Sequence, residues 1–393
     1  MSNYNPKGWW AVIKREFMLM RSRRTYLMVT LILPVIAIGV MTLMFINGVP
    51  RNLPIGLVDM NSSATSRKLA RMIDAVPSAT IVSNYSDLTE AKRAIERGDI
   101  YGVVIIPQDF EKNLFKASQP QVAFFYNNAY MIVGGIINKD VTTAVSTFSA
   151  GVDLNLRLKK GQHYNQAVQQ VMPVKVDSHA LFNPYTNYFY YLTTAFLPIM
   201  LLMFILSGTV YAIGSEFKYH TADEWLKTAH GSIIRALSAK MTPYLIIYSF
   251  LMLFVNVLLI KFFGTPFNGS VWLLVYNALL FVLAYISMGI VIISIFTSLR
   301  MALSISSVYA ALAFTMSGLT FPHIAMYKAV MVLGYLFPFT HYHKVFIGQA
   351  LQGAPVYSSL HSLLLLNLFL ILPFFFLRRM KKICNTPKLW GRD

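Results

Sequence analysis

Six stretches of the chain each hold about 20 mainly apolar residues, the length that carries a helix across a bilayer core. They are Tyr26 to Ile46, Tyr190 to Ile213, Thr242 to Phe263, Val271 to Thr297, Ala302 to Phe321 and Leu360 to Leu377. Backbone in hydrocarbon must satisfy its own hydrogen bonds, so such segments are predicted to be helices. Composition agrees: of 393 residues, 56% are hydrophobic and 13% charged, whereas soluble domains carry about 25% charged residues. A seventh apolar piece, Ala325 to Phe339, is shorter and broken by Gly334 and Pro338; it reads as a re-entrant hairpin. The first span is too long for a secretory h-region and lacks a small-residue cleavage pattern, so it is expected to stay as an anchor.

Lys and Arg outnumber Asp and Glu by 34 to 16. The bases sit beside the apolar segments, which assigns the excess to a bilayer and not to nucleic acid. Lys7, Lys14, Arg15, Arg21, Arg23 and Arg24 precede the first span, and Arg378, Arg379, Lys381, Lys382, Lys388 and Arg392 follow the last. Lys218, Lys227, Arg235 and Lys240 lie between the second and third spans, and Arg300 between the fourth and fifth. The positive-inside rule then makes both termini and these loops cytoplasmic. The expected location is the bacterial cytoplasmic (inner) membrane. The one cysteine, Cys384, leaves no disulfide framework and no Cys-based zinc site.

Residues 47–188 carry eleven acids and fourteen bases and no spanning stretch, so they are expected to form an extracytoplasmic domain. Strand and helix signals alternate there. Strands are expected at Leu53 to Asp59, Thr80 to Ser83, Tyr101 to Ile106 and Gln121 to Tyr126. Helices are expected at Ala64 to Val76, capped by Asn61 or Ser62, and at Asp87 to Arg97. A long helix, Tyr130 to Lys160, stands as a stalk or packs on the sheet, and Asn183, Pro184 and Tyr185 lead back to the membrane. This alternation gives a small α/β layer, either a rigid cap or a docking surface, with no recognisable pocket.

No phosphate-binding loop is present, nor even a Gly-Lys dipeptide, so any ATP is hydrolysed by another chain. No H-E-x-x-H or G-x-S-x-G occurs. His341 and His343, with His323, lack nearby carboxylates and read as interfacial side chains rather than a metal site. No catalytic, cofactor or metal residue is therefore assigned. The spans hold no Asp, Glu, Lys or Arg in their central parts; Lys261 lies near an end, where it snorkels. A proton relay would need such groups at depth. The spans carry neutral polar side chains instead, and Thr209, Asn256, Ser304, Ser307 and Ser317 are candidates to line a path for an amphiphile. The fifth span is rich in small and hydroxyl residues and suits a close-packed, sliding interface.

Two segments are expected to lie at the cytoplasmic surface. Trp9 to Arg24 reads as an amphipathic helix, with Trp9, Trp10, Ile13, Phe17 and Met20 on one face and Lys14, Arg15 and Arg21 off it. Glu16 falls inside the apolar arc; it reads either as a frayed or snorkelling side chain or, the favoured reading, as half of a pair with a basic residue of a neighbouring element. The second segment, about residues 216–230, reads as a short helix with Thr221 at its N-cap and Asp223 and Glu224 in the first turn, where the helix dipole favours acids. Trp225 and Leu226 give it an apolar patch suited to docking.

Several motifs, in order, resemble the ABC-2 family, the membrane subunits of ATP-binding-cassette exporters. IKREFMLMRSRRTYLMVTLILP, with Pro34, resembles the family's connecting helix and first span. DMNSSATSRKL, YGVVIIPQDFEKNL and LFNPYTNYFYY resemble the subgroup with a large outer domain. MSGLTFPHIAMYKAVMVLGYLFPFTHYHKVFIGQALQG resembles its outer hairpin after the fifth span. The family's coupling segment reads like R-E-x-x-x-G-T-x-E-x-L-x-x-T-P; Glu216, Thr221, Asp223, Leu226 and Thr228 match or nearly match, while Ser215, His220 and Ala229 depart from it. AKMTPYL, with Lys240 and Pro243, resembles the segment that follows.

The resemblance implies an α-helical polytopic membrane protein with six transmembrane helices, an inserted α/β extracytoplasmic domain, an amphipathic connecting helix and a re-entrant outer hairpin. Its parts are the connecting helix at 1–24, the first span at 25–46, the outer domain at 47–188, spans two to six at 189–378 and a basic tail at 379–393. The coupling helix lies at about 216–230 and the hairpin at about 322–358. The implied function is a subunit of an exporter for a hydrophobic or amphiphilic compound. Implied partners are two copies of an ATPase subunit, which hold the ATP and Mg, and an identical or similar permease chain, with a periplasmic adaptor common in the subgroup. Glu216, Thr221, Asp223, Glu224, Trp225 and Leu226 would couple to the ATPase, and Trp9, Trp10, Arg15 and Glu16 belong to the connecting helix. Alternative readings are an ion exporter of the same family and a membrane scaffold whose outer domain binds a surface partner.

Overall fold

The computed structural model describes residues 7–46, 48–116, 118–171, 181–183 and 188–390. Pro184, Tyr185, Arg392 and the segment 172–180 lie outside the described residues. The chain divides into two compact units, Val49–His179 and the remainder.

The Val49–His179 unit is a four-stranded sheet in the order β2-β1-β3-β4. Its strands are β1 (Leu53–Asp59), β2 (Ala79–Asn84), β3 (Gly102–Ile106) and β4 (Ala123–Tyr126). β1 pairs in parallel with β2 and β3, and β4 pairs antiparallel with β3. β1 and β3 are nearly continuous apolar runs because they are covered on both faces. Ile55, Leu57, Val104 and Ile106 join one core, and Val58 and Val103 the other.

The helix after β1 is not capped as the sequence suggested. Ser63 caps Ala64–Asp74 in a reciprocal box with Ser66. Asn61 and Ser62 instead donate their backbone N–H groups to the Asp59 carboxylate, each at 3.0 Å, so the acid that ends β1 organises the turn. Asp87 caps Leu88–Arg97, which ends at Gly98 in the left-handed conformation. Helix Met131–Lys159 packs on the sheet rather than standing as a stalk, burying Ile137, Val141, Ala144 and Phe148 in the core with Leu57 and Val104. Two short helices, Phe110–Phe115 and Tyr164–Val171, carry no strong sequence signal.

The second unit is helical. Following the numbering of the helices along the whole chain, α1 is Trp9–Ser22 and α2 (Arg24–Leu27), a π turn and α3 (Leu33–Phe45) form one apolar helix. In the Val49–His179 unit, α4 to α8 are Ala64–Asp74, Leu88–Arg97, Phe110–Phe115, Met131–Lys159 and Tyr164–Val171. α9 (Tyr188–Lys218), α10 (Ala222–Thr228), α11 (Ile233–Val257, continued by a π turn to Phe262) and α12 (Val271–Ile295) follow. Then come α13 (Leu299–Thr315), α14 (Lys328–Gly334), α15 (Pro338–Ala350), α16 (Val356–Phe369) and α17 (Leu372–Asn385).

Among the described residues, five helices are long and apolar enough to cross a membrane: Arg24–Phe45, Tyr190–Lys218, Ile233–Phe262, Val271–Ile295 and Val356–Asn385. The expected fifth span is the 17-residue α13, about 26 Å long against a hydrocarbon core of about 30 Å. It stops at Thr315 rather than Phe321. Gly318 turns the chain at φ +85°, and a β-carbon there would meet the His323 ring at 2.7 Å. α13 packs on α9; its buried residues are Leu299, Ala302, Ser306, Ala310 and Ala313, small enough for close approach. α12 is the most enclosed of the five long helices, while Arg24–Phe45 and Val356–Asn385 are largely exposed.

Candidate functional site

Eleven of the sixteen acidic residues lie at 47–188. Of the other five, Glu16, Glu216, Asp223 and Glu224 gather around one end of the helical unit, and Asp393 is outside the described residues. Two of the four form a buried cluster with two bases.

α1 supplies Arg15 and Glu16. Its buried face is Val12, Ile13, Glu16 and Met20, with Trp10 76% and Phe17 53% exposed. The apolar face therefore differs from the expected one. At about 100° per residue, Trp10 and Phe17 lie well around the helix from the row through Trp9, Ile13, Glu16 and Met20, and that row packs inward because Glu16 meets Lys240.

Lys240 Nζ donates to Glu16 Oε2 at 2.5 Å and to Glu216 Oε1 at 2.8 Å. Arg15 forks onto both oxygens of Glu216, at 2.5 and 2.8 Å. Tyr244 donates its hydroxyl to Glu16 Oε1 at 2.7 Å, and Thr221 donates to Glu216 Oε2. Glu16, Glu216 and Lys240 are buried and Arg15 is 19% exposed. Two acids against two bases leave no net charge, and each carboxylate oxygen has a donor. Those are the conditions under which ions tolerate burial. Burial works against the Arg15 charge, but the hydrogen bonds and charge of Glu216 outweigh it and hold the guanidinium above its ordinary value.

The cluster ties four elements together: α1, the end of α9 through Glu216, the elbow after α9 through Thr221, and α11 through Lys240 and Tyr244. Tyr26, just after α1, is hydrogen-bonded to Ser215 on α9. Gly8 N–H donates to the Thr228 carbonyl at 2.8 Å, joining the start of α1 to the end of α10. In the elbow, the Tyr219 ring lies 3.9 Å from the Arg23 guanidinium.

Several expected features are placed differently. The segment at 216–230 is not one helix: Glu216 sits on the last turn of α9, and α10 covers only Ala222–Thr228. Thr221 is at the N-cap position, but its side chain makes no capping bond because Glu216 takes it. Trp225 and Leu226, expected as an outward patch, are buried with Ala222 and Ala229. The Trp225 ring lies 5.3 Å from Lys240 Nζ, so this apolar face seals the charge cluster. The outer face of α10 is polar: Glu224 is exposed, and Asp223 pairs with Lys227 at 2.5 Å across a solvent-exposed surface.

Thr209, Asn256, Ser304, Ser307 and Ser317 are not gathered into one path. Thr209 is buried against Gly289, where a β-carbon would meet its Cγ2 at 2.7 Å. Asn256 accepts from Tyr342 at 3.3 Å. Ser304 and Ser307 are exposed and donate to carbonyls of their own helix, and Ser317 closes the turn after α13. His323 and His341 lie 3.0 and 2.9 Å from the Met316 and Tyr335 carbonyls. Among the described residues, no group of three or more His, Cys, Asp or Glu is placed to hold a metal ion. The Val49–His179 unit does have open clefts. One of about 540 Å³ is lined by Asp59, Arg67, Arg71 and Tyr85, and another of about 460 Å³ by Phe110, Val122, Phe148 and Arg157.

Sequence reasoning missed Lys240, Tyr244 and Tyr26 as members of this site. By hydropathy Lys240 reads as a loop charge, although its i+4 relation to Tyr244 at the start of an apolar run places both on one helix face. Glu16, an acid in an apolar arc, was the visible half of the signal.

No curated protein matches the chain. The model of a family described as ABC-2 family transporter protein matches residues 24–377, a range that takes in all the apolar helices up to α17 and the inserted sheet unit. The chain is thus a multi-pass membrane protein that belongs to the ABC-2 family of transporters.

Proposed function

We propose that the chain is the membrane-spanning subunit of an ATP-driven exporter that moves a hydrophobic or amphiphilic compound outward, with ATP and Mg bound on separate ATPase subunits. The observation that carries this reading is the two-faced α10. One face is buried beside the charge cluster, and the other presents Asp223, Glu224 and Lys227. Force applied to the polar face passes through the buried one to α1, α9 and α11 as a unit. The absence of a phosphate-binding loop supports a separate ATPase, and bases at both chain ends support a cytoplasmic position for this surface. The lack of charge in the central parts of the spans favours an amphiphile over an ion. Two copies of this chain, or this chain and a similar one, would pair with two ATPases, and the Val49–His179 unit would face outward as the docking surface for a periplasmic adaptor. The test is ATP-dependent uptake of amphiphilic dyes into inverted vesicles that contain the chain and its ATPase. Uptake that needs both subunits supports the reading. A sodium flux without dye movement would favour the ion exporter.

A further inference from the structure

The chain after the last membrane helix folds back on itself. Past α17, Thr386 is extended and Pro387–Leu389 makes one 3₁₀ turn. This returns Trp390 to the helix, where its Nε1 donates to the Ile383 carbonyl at 2.8 Å and its side chain is only 7% exposed. The Trp390 ring centroid lies 5.3 Å from that of His220. His220 stands in the elbow between α9 and α10 at φ +56°, a left-handed conformation that costs a residue with a β-carbon. Beneath the ring pair, Met380, Ile383 and Cys384 are buried, and α17 packs against α10 and α11. α10 is about two turns long and lacks a side-chain cap, so its own hydrogen bonds do not fix its position.

We propose that Trp390 is a positioning residue: a C-terminal latch that, through His220, sets the angle at which α10 leaves α9 and so the presentation of Asp223 and Glu224. Its role in coupling rests on the proposed ATPase contact; the latch contact itself does not. The sequence marked His220 only as a departure from the family pattern, where glycine is usual. With glycine the elbow would be relaxed. With histidine it is strained and gripped by the tail.

The test uses the full-length chain in detergent, with Trp390→Ala, Trp390→Phe, His220→Gly and the Trp390→Ala/His220→Gly double variant. The first readout is tryptic cleavage at Lys388, which is exposed beside the latch. The second is the substrate moved per ATP hydrolysed in the reconstituted complex. Trp390→Ala and His220→Gly should each speed cleavage and lower the coupling ratio roughly threefold to tenfold, as expected for loss of one aromatic pair. The double variant should be no worse than either single one, and Trp390→Phe should keep most of the function. Glycine relaxes the backbone at 220, so an unchanged or raised melting temperature separates its effect from misfolding. Wild-type cleavage of Trp390→Ala or multiplying losses in the double variant would overturn the latch, and faster cleavage with unchanged coupling would overturn its positioning role. A wild-type chain that holds no ATPase overturns the docking reading on its own, and the cleavage rates, which need no partner, then decide the latch.

Discussion

Lys240 holds two carboxylates on different helices, Glu16 at 2.5 Å and Glu216 at 2.8 Å. Replacing it with Met leaves two acids facing one base in a site closed to water. We expect a loss of about 3–5 kcal/mol, the usual cost of breaking a buried pair from one side, read as a lower melting temperature of the purified chain. Combining Lys240→Met with Glu16→Gln restores a balanced Arg15–Glu216 pair, so the double variant should melt above Lys240→Met alone. An additive loss would mean that the two charges are independent. Arg15→Ala should cost less, since Arg15 is 19% exposed and Glu216 keeps Lys240. At this scale the sequence was half legible. An acid within an apolar arc announces a partner, but the partner lies over 200 positions away, and only tertiary packing selects Lys240 among the nearby bases.

The polar and buried faces of α10 make opposite claims on stability and function. Trp225 is fully buried, so Trp225→Ala should cost about 3–5 kcal/mol through cavity formation and lower the melting temperature. Asp223 and Lys227 are an exposed i,i+4 pair, worth about 0.3–0.5 kcal/mol. Asp223→Lys and Glu224→Lys should therefore leave the melting temperature nearly unchanged while weakening the proposed ATPase contact. In the Val49–His179 unit, Ser63→Ala removes a reciprocal cap and should cost about 1 kcal/mol, with no effect on ATPase binding. Element boundaries were least legible where charge meets helix. Hydropathy ends the second span at Ile213 and opens the third at Thr242, whereas α9 runs to Lys218 and α11 begins at Ile233. Glu216 and Lys240 pair inside the packing and Ser232 caps the start of α11, neither of which a residue-by-residue scale registers.

On the scale of the whole molecule, the order of apolar segments and the strand-helix alternation at 47–188 carried the architecture. Leu53–Asp59, Leu88–Arg97 and Met131–Lys159 follow from local periodicity and turn chemistry. Where α13 stops does not follow from hydropathy, which runs on to Phe321, whereas the helix ends at Thr315 and the chain turns at Gly318 beside the His323 ring. The placement of Trp225 was also hidden: an amphipathic two-turn helix shows which residues share a face but not whether that face meets protein or partner. The family match over residues 24–377 agrees with a multi-pass membrane protein, and, Asp393 apart, the four acids outside the sheet unit lie on α1, α9 and α10. Transport driven through this corner of the molecule is the central claim. Co-purification of an ATP-hydrolysing subunit with wild-type chain and with the Asp223→Lys/Glu224→Lys double variant tests it most directly. The expected result is a retained ATPase with wild type and at least a tenfold loss with the variant at an unchanged melting temperature; no ATPase on the wild-type chain, or full retention by the variant, would contradict it.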